Sequence, residues 1–301
     1  MQIKANGIDI EAETFGKKAD PAIIFVMGFG AQLVNWPVEL MEGLAGRGFH
    51  VIRFDNRDVG LSQRFPEFGQ PNAGEVMAKM RAGETPQVPY TLTDMAADAV
   101  GVLDALGIER AHIVGGSMGG MVVQLAAAEF PDRFVSMTSI FSTTGNPDLP
   151  QATDEAMAAL LSRPENDERE TVVAHSMKVR RIIGSPGFPT PEDEARQKAE
   201  ENFDRAYYPE GTTRQYAAIV ADGDRRERLR KIACPVLVLH GTDDPLVRVE
   251  GGRDTAASIP GARLVEIEGW GHDMPKALMP RLEEEIAAHC IAAEARAQAA
   301  E

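Results

Sequence analysis

Cysteine is scarce in this chain, with two in 301 residues, and that usage fits a reducing cytoplasm. Cys234 sits where a buried strand should begin and Cys290 falls on the last helix. Neither CxxC nor HExxH occurs, so the sequence supports no metal site and calls for no cofactor. No apolar run is long enough to span a bilayer, and the N-terminal residues 1–10 show no apolar h-region, so nothing suggests export. Positive charge is also in deficit: 31 Lys and Arg stand against 46 Asp and Glu, a net charge of −15. That balance opposes binding to nucleic acid and to anionic membranes and favours solubility. Part of the acid, such as Glu283-Glu284-Glu285, reads as a solvated helix face. What remains is ordinary globular composition, 44% hydrophobic and 26% charged, in a length that allows one large core or one core with an inserted subdomain.

Short apolar runs alternate with helical segments. Residues 22–27, 50–54, 111–114, 134–141, 235–239 and 262–267 read as strands, and 38–47, 93–106 and 118–130 as helices. Continuous runs such as Ile23-Ile24-Phe25-Val26 suit strands covered on both faces. The alternation specifies an α/β protein with a mostly parallel sheet and helices on both faces. The two N-terminal runs, around Ile3–Ile8 and Ile10–Phe15 with a turn signal at Asn6-Gly7, predict an antiparallel hairpin at one edge. From Thr144 to Arg230 the strands stop. Three or four helices are expected there: one capped by Thr153, one opened by Asp167, and one starting at Thr190-Pro191 with Ala195, Ala199, Phe203 and Ala206 on one face. The organisation predicted is a core from 1–143 and 231–301 with an inserted helical cap, or lid, at 144–230.

The segment Gly115-Gly116-Ser117-Met118-Gly119 stands between the run 111–114 and the helix that follows. Strand, sharp turn with a serine at its tip, then helix is the setting of a nucleophile elbow. A serine in a strained turn presents its hydroxyl above the sheet edge, and close approach of strand and helix requires small residues two before and two after it. Met118 opens the helix, so its N–H is free to point at a reacting oxygen.

A serine hydroxyl needs a base, and the base needs an orienting group. Of the six histidines, His50 and His112 lie at or within strands, while His175 and His289 lie on helices. His240 ends a strand, where packing or capping suits it better. His272, in the glycine-rich loop Gly269-Trp270-Gly271-His272 after the last strand, can place an imidazole over the sheet edge. For the acid, Asp243 and Asp244 are both candidates in Gly241-Thr242-Asp243-Asp244-Pro245. Asp244 is favoured because a residue before proline is extended and projects its side chain.

The order Ser117, Asp244, His272 is that of the α/β-hydrolases. With Met27-Gly28-Phe29-Gly30, Asp55-Asn56-Arg57-Asp58-Val59-Gly60-Leu61-Ser62 and Gly271-His272, it makes the chain resemble an α/β-hydrolase with a single helical lid over nearly its whole length. Asn56-Arg57-Asp58 and Ile183-Gly184-Ser185-Pro186-Gly187 resemble bacterial carboxylesterases related to aclacinomycin methylesterases. The resemblance selects Asp244, three residues after its glycine, as the acid. It also implies Phe29 as the second backbone oxyanion donor beside Met118, in a loop where Met27-Gly28 replaces the more familiar His-Gly pair. It implies a structural role for Asp55, Asn56 and Arg57. Gly28, Trp36, Trp270, Ile183 and Phe188 are candidate pocket residues, with core packing the competing expectation for the tryptophans and lid-to-core packing for Ile183 and Phe188. Gly28-Phe29-Gly30 is not a dinucleotide loop, since Leu33 stands where the third glycine is needed.

The expectation is therefore a cytoplasmic serine carboxylic-ester hydrolase acting on a small to medium ester. Serine at the elbow argues against haloalkane dehalogenase and epoxide hydrolase chemistry. Carbon–carbon bond hydrolysis, enol-lactone hydrolysis and cofactor-free haloperoxidation use the same triad. A ligand-binding protein on the hydrolase scaffold is the rival of a different class. No motif specifies an oligomeric state.

Overall fold

The computed structural model describes residues 1–300; Glu301 lies outside the described residues. In chain order the elements are β1 (Gln2–Ala5), β2 (Ile8–Phe15), β3 (Ala22–Val26), α1 (Val38–Gly46), β4 (His50–Phe54), α2 (Ala73–Arg81), α3 (Leu92–Leu106), β5 (Ala111–Gly116), α4 (Met118–Glu129) and β6 (Phe134–Ile140). There follow α5 (Asp154–Leu161), α6 (Arg169–Ile183), α7 (Glu192–Ala206), α8 (Glu210–Asp222) and the short α9 (Arg226–Leu229), and then β7 (Val236–Gly241), α10 (Val249–Ser258), β8 (Arg263–Ile267) and α11 (Met279–Ala300).

The hairpin at the edge forms because Asn6 and Gly7 both take positive φ, 48° and 80°, the backbone a two-residue turn between twisted strands requires. One eight-stranded sheet runs in the order β1-β2-β4-β3-β5-β6-β7-β8. β1–β2 and β2–β4 are antiparallel, and every pairing from β4 to β8 is parallel. The parallel strands β3 to β7 are buried on both faces, and the edge strand β8 is partly exposed. On β3, Ile24 and Val26 join the core under α3 and α4, while Ile23 and Phe25 join the core under α1 and α11.

The sheet order also places the site. The connection from β3 runs one way, to β4, and that from β5 runs the other way, to β6. The C-terminal ends of β3 and β5 therefore part their loops and open a crevice, the topological switch point at which open α/β sheets hold ligands. Phe29 follows β3, Ser117 follows β5, and the loops after β7 and β8 carry Asp244 and His272. All four meet one sheet edge.

Apart from β1, which ends at Ala5, three residues before the expected Ile8, strands and core helices agree with the sequence to within one or two residues, as capping and hydrogen-bond criteria allow. Two further local expectations differ. The segment 144–230 holds four longer helices and the short α9. α6 begins at Arg169 after Glu168, so Asp167 does not open it; its side chain instead accepts from the Tyr207 hydroxyl at 3.1 Å. Thr153 does cap α5, accepting from the Ala156 N–H at 3.2 Å. Among the described residues no helix is long and apolar enough to cross a membrane.

Burial also sets an acid limit on this fold. It pushes His289, on α11, down to about 4, below its ordinary value near 6.5. The unfolded chain then binds more protons between those two pH values, so the stabilisation is fully present above pH 6.5 and fades as pH falls toward 4. Urea denaturation at pH 7 and pH 4 should show a loss, of which His289→Gln removes on the order of 2 kcal/mol. An identical pH dependence in the variant would show that His289 does not titrate this way.

Candidate active site

Ser117 takes φ 55° and ψ −120°, a strained backbone for a residue with a Cβ. The surroundings over-determine it. The Ser117 N–H donates to the Ile140 carbonyl at 2.9 Å, and its own carbonyl accepts from the Ser142 hydroxyl at 2.7 Å. A Cβ on Gly115 would lie 2.2 Å from the Gly119 carbonyl oxygen, and one on Gly119 would lie 2.1 Å from that of Val26. Both positions must be glycine for α4 to pass so near β3 and β5.

The serine Oγ lies 2.9 Å from His272 Nε2, and His272 Nδ1 lies 2.6 Å from Asp244 Oδ2. Asp244 is fully buried, and its other oxygen accepts from the N–H groups of Leu246 and Val247, each at 2.8 Å. A carboxylate so placed can only accept, so Nδ1 carries the imidazole proton and Nε2 is left as the acceptor for the serine hydroxyl. Asp243 is exposed and closes its own turn, accepting from the Thr242 hydroxyl at 2.7 Å and the Gly269 N–H at 2.8 Å. The nearby His240 is no rival base: it is fully buried, burial drives its pKa down, and its Nε2–H donates to the Val247 carbonyl at 2.8 Å.

The histidine loop is held from two sides. Beneath it, the Trp270 indole N–H donates to the Asp273 carbonyl at 2.8 Å, and Phe141 packs against both Trp270 and His272 with ring centroids 5.4 and 4.7 Å apart. Above it, the segment after α6 docks directly. The His272 N–H donates to the Ile183 carbonyl at 2.7 Å, the Gly187 N–H to that of Gly269 at 2.8 Å, and the Gly271 N–H to the Ser185 hydroxyl at 3.0 Å. The Ser185 hydroxyl donates in turn to the Asp273 carboxyl, whose pKa burial raises.

On the other side of the serine, the β3 loop passes so close that a Cβ on Gly28 would lie 3.2 Å from Ser117 Cβ. The N–H groups of Phe29 and Met118 have no protein acceptor among the described residues. Asp55, Asn56 and Arg57 tie the loops together below. Asp55 accepts from the N–H groups of Leu33 and Leu61 at 2.7 and 2.9 Å and from Arg205 at 2.7 Å. Asn56 donates to the Met27 carbonyl at 2.8 Å, and Arg57 makes a two-point pair with Asp98 at 2.6 and 2.7 Å.

A cavity of about 910 Å³ opens above Ser117 and His272, bounded below by Gly28, Phe29, Met118 and Phe141 and above by residues of α5 to α8. Ala195, Ala199, Phe203 and Ala206, the apolar face read on α7, line it, as do Val179 and Ile183. Three expected pocket residues do not. Trp36 is fully buried edge-on to Phe25, with centroids 5.0 Å apart. Trp270 is fully buried under the histidine loop. Phe188 packs on the core beneath α11 instead of facing the cavity. Each is a large apolar side chain on a loop, and the sheet core lay closer than the cavity. Sequence reasoning missed Gln215 and Tyr216 of α8. The signal was available in a glutamine and an arginine, Arg214 and Gln215, on the face that carries Gly211 and Ala218, where burial demands partners.

The alpha/beta hydrolase fold family matches residues 21–275 of this chain. The chain belongs to that family. Among this hydrolase's relatives, rhodomycin D methylesterase DauP of Streptomyces sp. (strain C5) is 29% identical over 97% of this chain and 98% of its own length. Rhodomycin D methylesterase DnrP of Streptomyces peucetius is 28% identical over 95% and 96%. The resemblance to methylesterases seen in the sequence agrees with both. The enol-lactonase from Burkholderia xenovorans LB400 superposes with a TM-score of 0.72 at 24% identity, covering 96% of this chain and 99% of that one, a likeness of fold.

Gly119→Ala tests the close approach on which the elbow rests. Forcing a methyl group to within 2.1 Å of the Val26 carbonyl should cost about 3 kcal/mol or more in urea denaturation. An unchanged midpoint would mean that strand and helix do not meet as described.

Proposed function

We propose that this hydrolase is a serine carboxylic-ester hydrolase in which Ser117, His272 and Asp244 form a catalytic triad. The observation that carries the reading is the continuous chain from Ser117 Oγ through the imidazole to a buried carboxylate, at 2.9 and 2.6 Å, at the floor of a cavity. In the proposed reaction His272 Nε2 takes the Ser117 proton as Oγ attacks the ester carbonyl, and Asp244 stabilises the imidazolium. The N–H groups of Phe29 and Met118 receive the oxyanion, helped by the positive end of α4. His272 then protonates the leaving alcohol. Next it deprotonates a water that attacks the acyl-enzyme, and it returns the proton to Ser117 as the acid departs. No cofactor or metal enters these steps.

The segment 144–230 serves in this reading as a cap that closes the cavity over a core formed by 1–143 and 231–301. The methylesterase names of both Streptomyces relatives support a methyl ester as substrate, and the cavity volume leaves room for a bulky acid in its acyl part. A small-molecule ester in the cytoplasm is the proposed setting.

Ser117→Ala should abolish turnover of p-nitrophenyl esters and of methyl esters of bulky acids, with thermal unfolding unchanged. Asp244→Asn, which leaves the imidazole without its orienting charge, should lower kcat by about 10⁴. Near-parental activity in Ser117→Ala would remove the assignment. A dienone panel run beside the esters separates carbon–carbon hydrolysis. Failure of a fluorophosphonate to label folded wild-type protein on Ser117 would favour a binding protein.

A further inference from the structure

The proposed oxyanion donor Phe29 acts through its amide, so its aim depends on the backbone of residues 27–30 and not on its ring. That backbone is gripped at both ends. On the β3 side, Asn56 Nδ2 donates to the Met27 carbonyl at 2.8 Å. On the far side, the Gly30 N–H donates to Gln215 Oε1 at 2.8 Å. Gln215 Nε2 donates in turn to the carbonyl of Arg57 at 2.9 Å, the residue next to Asn56. The contacts close a ring from Met27 through Phe29 and Gly30 to Gln215, and back through Arg57 and Asn56.

Helix α8, which carries Gln215, is fixed against the loop after β4. Arg214 makes a two-point pair with Asp58, both bonds 2.8 Å, and both side chains are buried. Gly211 passes so close that a Cβ there would lie 2.0 Å from the Asp58 carbonyl oxygen. Along the same face, a Cβ on Gly30 would lie 3.0 Å from the Thr212 methyl group, and Tyr216 faces Phe29 with ring centroids 6.0 Å apart. Gln215 itself is fully buried, and its bond to the Arg57 carbonyl lies out of reach of water. The primary amide offers an acceptor and an N–H donor at this spacing; a leucine offers neither, a methionine only a weak sulfur acceptor, and an ionised glutamate only the acceptor.

Resting on the ester-hydrolase reading above, we infer that Gln215 is a positioning residue for the Phe29 oxyanion donor. Through it the helical insertion takes part in transition-state stabilisation as well as in enclosing the substrate. Without the Gln215 amide, the Gly30 N–H loses its protein anchor and the buried Arg57 carbonyl loses its partner, and the loop that aims the Phe29 N–H is released to shift.

The test compares wild type, Gln215→Met and Gln215→Glu for ester turnover and for the rate at which a fluorophosphonate labels Ser117. Thermal unfolding of each variant establishes that it is folded. The Met variant should lose about 10- to 100-fold in kcat with KM within about twofold. Labelling should slow in proportion, because phosphonylation draws on the same donors, and the midpoint of the kcat/KM pH profile should not move. The Glu variant, which still accepts from the Gly30 N–H, should lose less, and it carries the test alone if the Met variant does not fold. A folded variant that keeps both kcat and labelling within twofold of wild type overturns the inference, as does a loss confined to KM. If wild-type Ser117 takes no label, the ester-hydrolase reading itself falls. A labelled wild type beside an unaffected variant overturns the role of Gln215 alone.

Discussion

Helix α4 crosses the ends of β3 and β5 at backbone contact distance, and the rest of the site follows from that crossing. With hydrogen atoms at Gly115 and Gly119 in place of side chains, the helix start is drawn down until residue 117 can leave the strand only through positive φ. The same contact brings the loop after β3 against the serine, and Gly28, Phe29 and Met118 border the same cavity. Neither strand nor helix would choose this geometry alone. It is held by large buried faces on either side of the sheet, which easily outweigh a strain of order 1–3 kcal/mol.

Charge is arranged with equal economy. Asp244 is a carboxylate withdrawn from water, yet it has no unmet bonding capacity where it matters: two backbone N–H groups satisfy one oxygen and the imidazole meets the other. His240, 3.7 Å from the same carboxylate, is held neutral by burial and spends its proton on the Val247 carbonyl. One carboxylate thus orients one imidazole. The second histidine fills space beside it without competing.

Much of this was legible from sequence because it is local. The elbow is five consecutive residues, and strands covered on both faces announce themselves as unbroken apolar runs. Asp244 and His272 lie on loops directly after β7 and β8, so strand order alone delivers them to one edge. Lateral packing was not legible. Whether Trp36, Trp270 and Phe188 face cavity or core depends on where the loop ends settle, and no periodicity applies to single loop residues. The apolar face of α7 is legible in its spacing, but its destination, a cavity wall, is set by what lies opposite. Gln215 escaped for the same reason: both its partners are backbone groups more than 150 positions away in sequence.

The insertion is stitched to the sheet at two loops that matter. Ser185 and Ile183 hold the histidine loop. On the other side Gln32 donates to the carbonyls of Asn202 and Ala206, Asn35 donates to Asn202, and Lys198 reaches the Val34 carbonyl. Such seams bear on heredity as much as on chemistry. An insertion exchanged whole between relatives could keep the bonds made by its backbone carbonyls but not those that need the side chains of Ser185, Lys198 and Asn202. Several stitched residues, Ile183, Lys198, Asn202 and Ala206, also line the cavity, so a side-chain change at Lys198 or Asn202 would alter the wall and the seam at once.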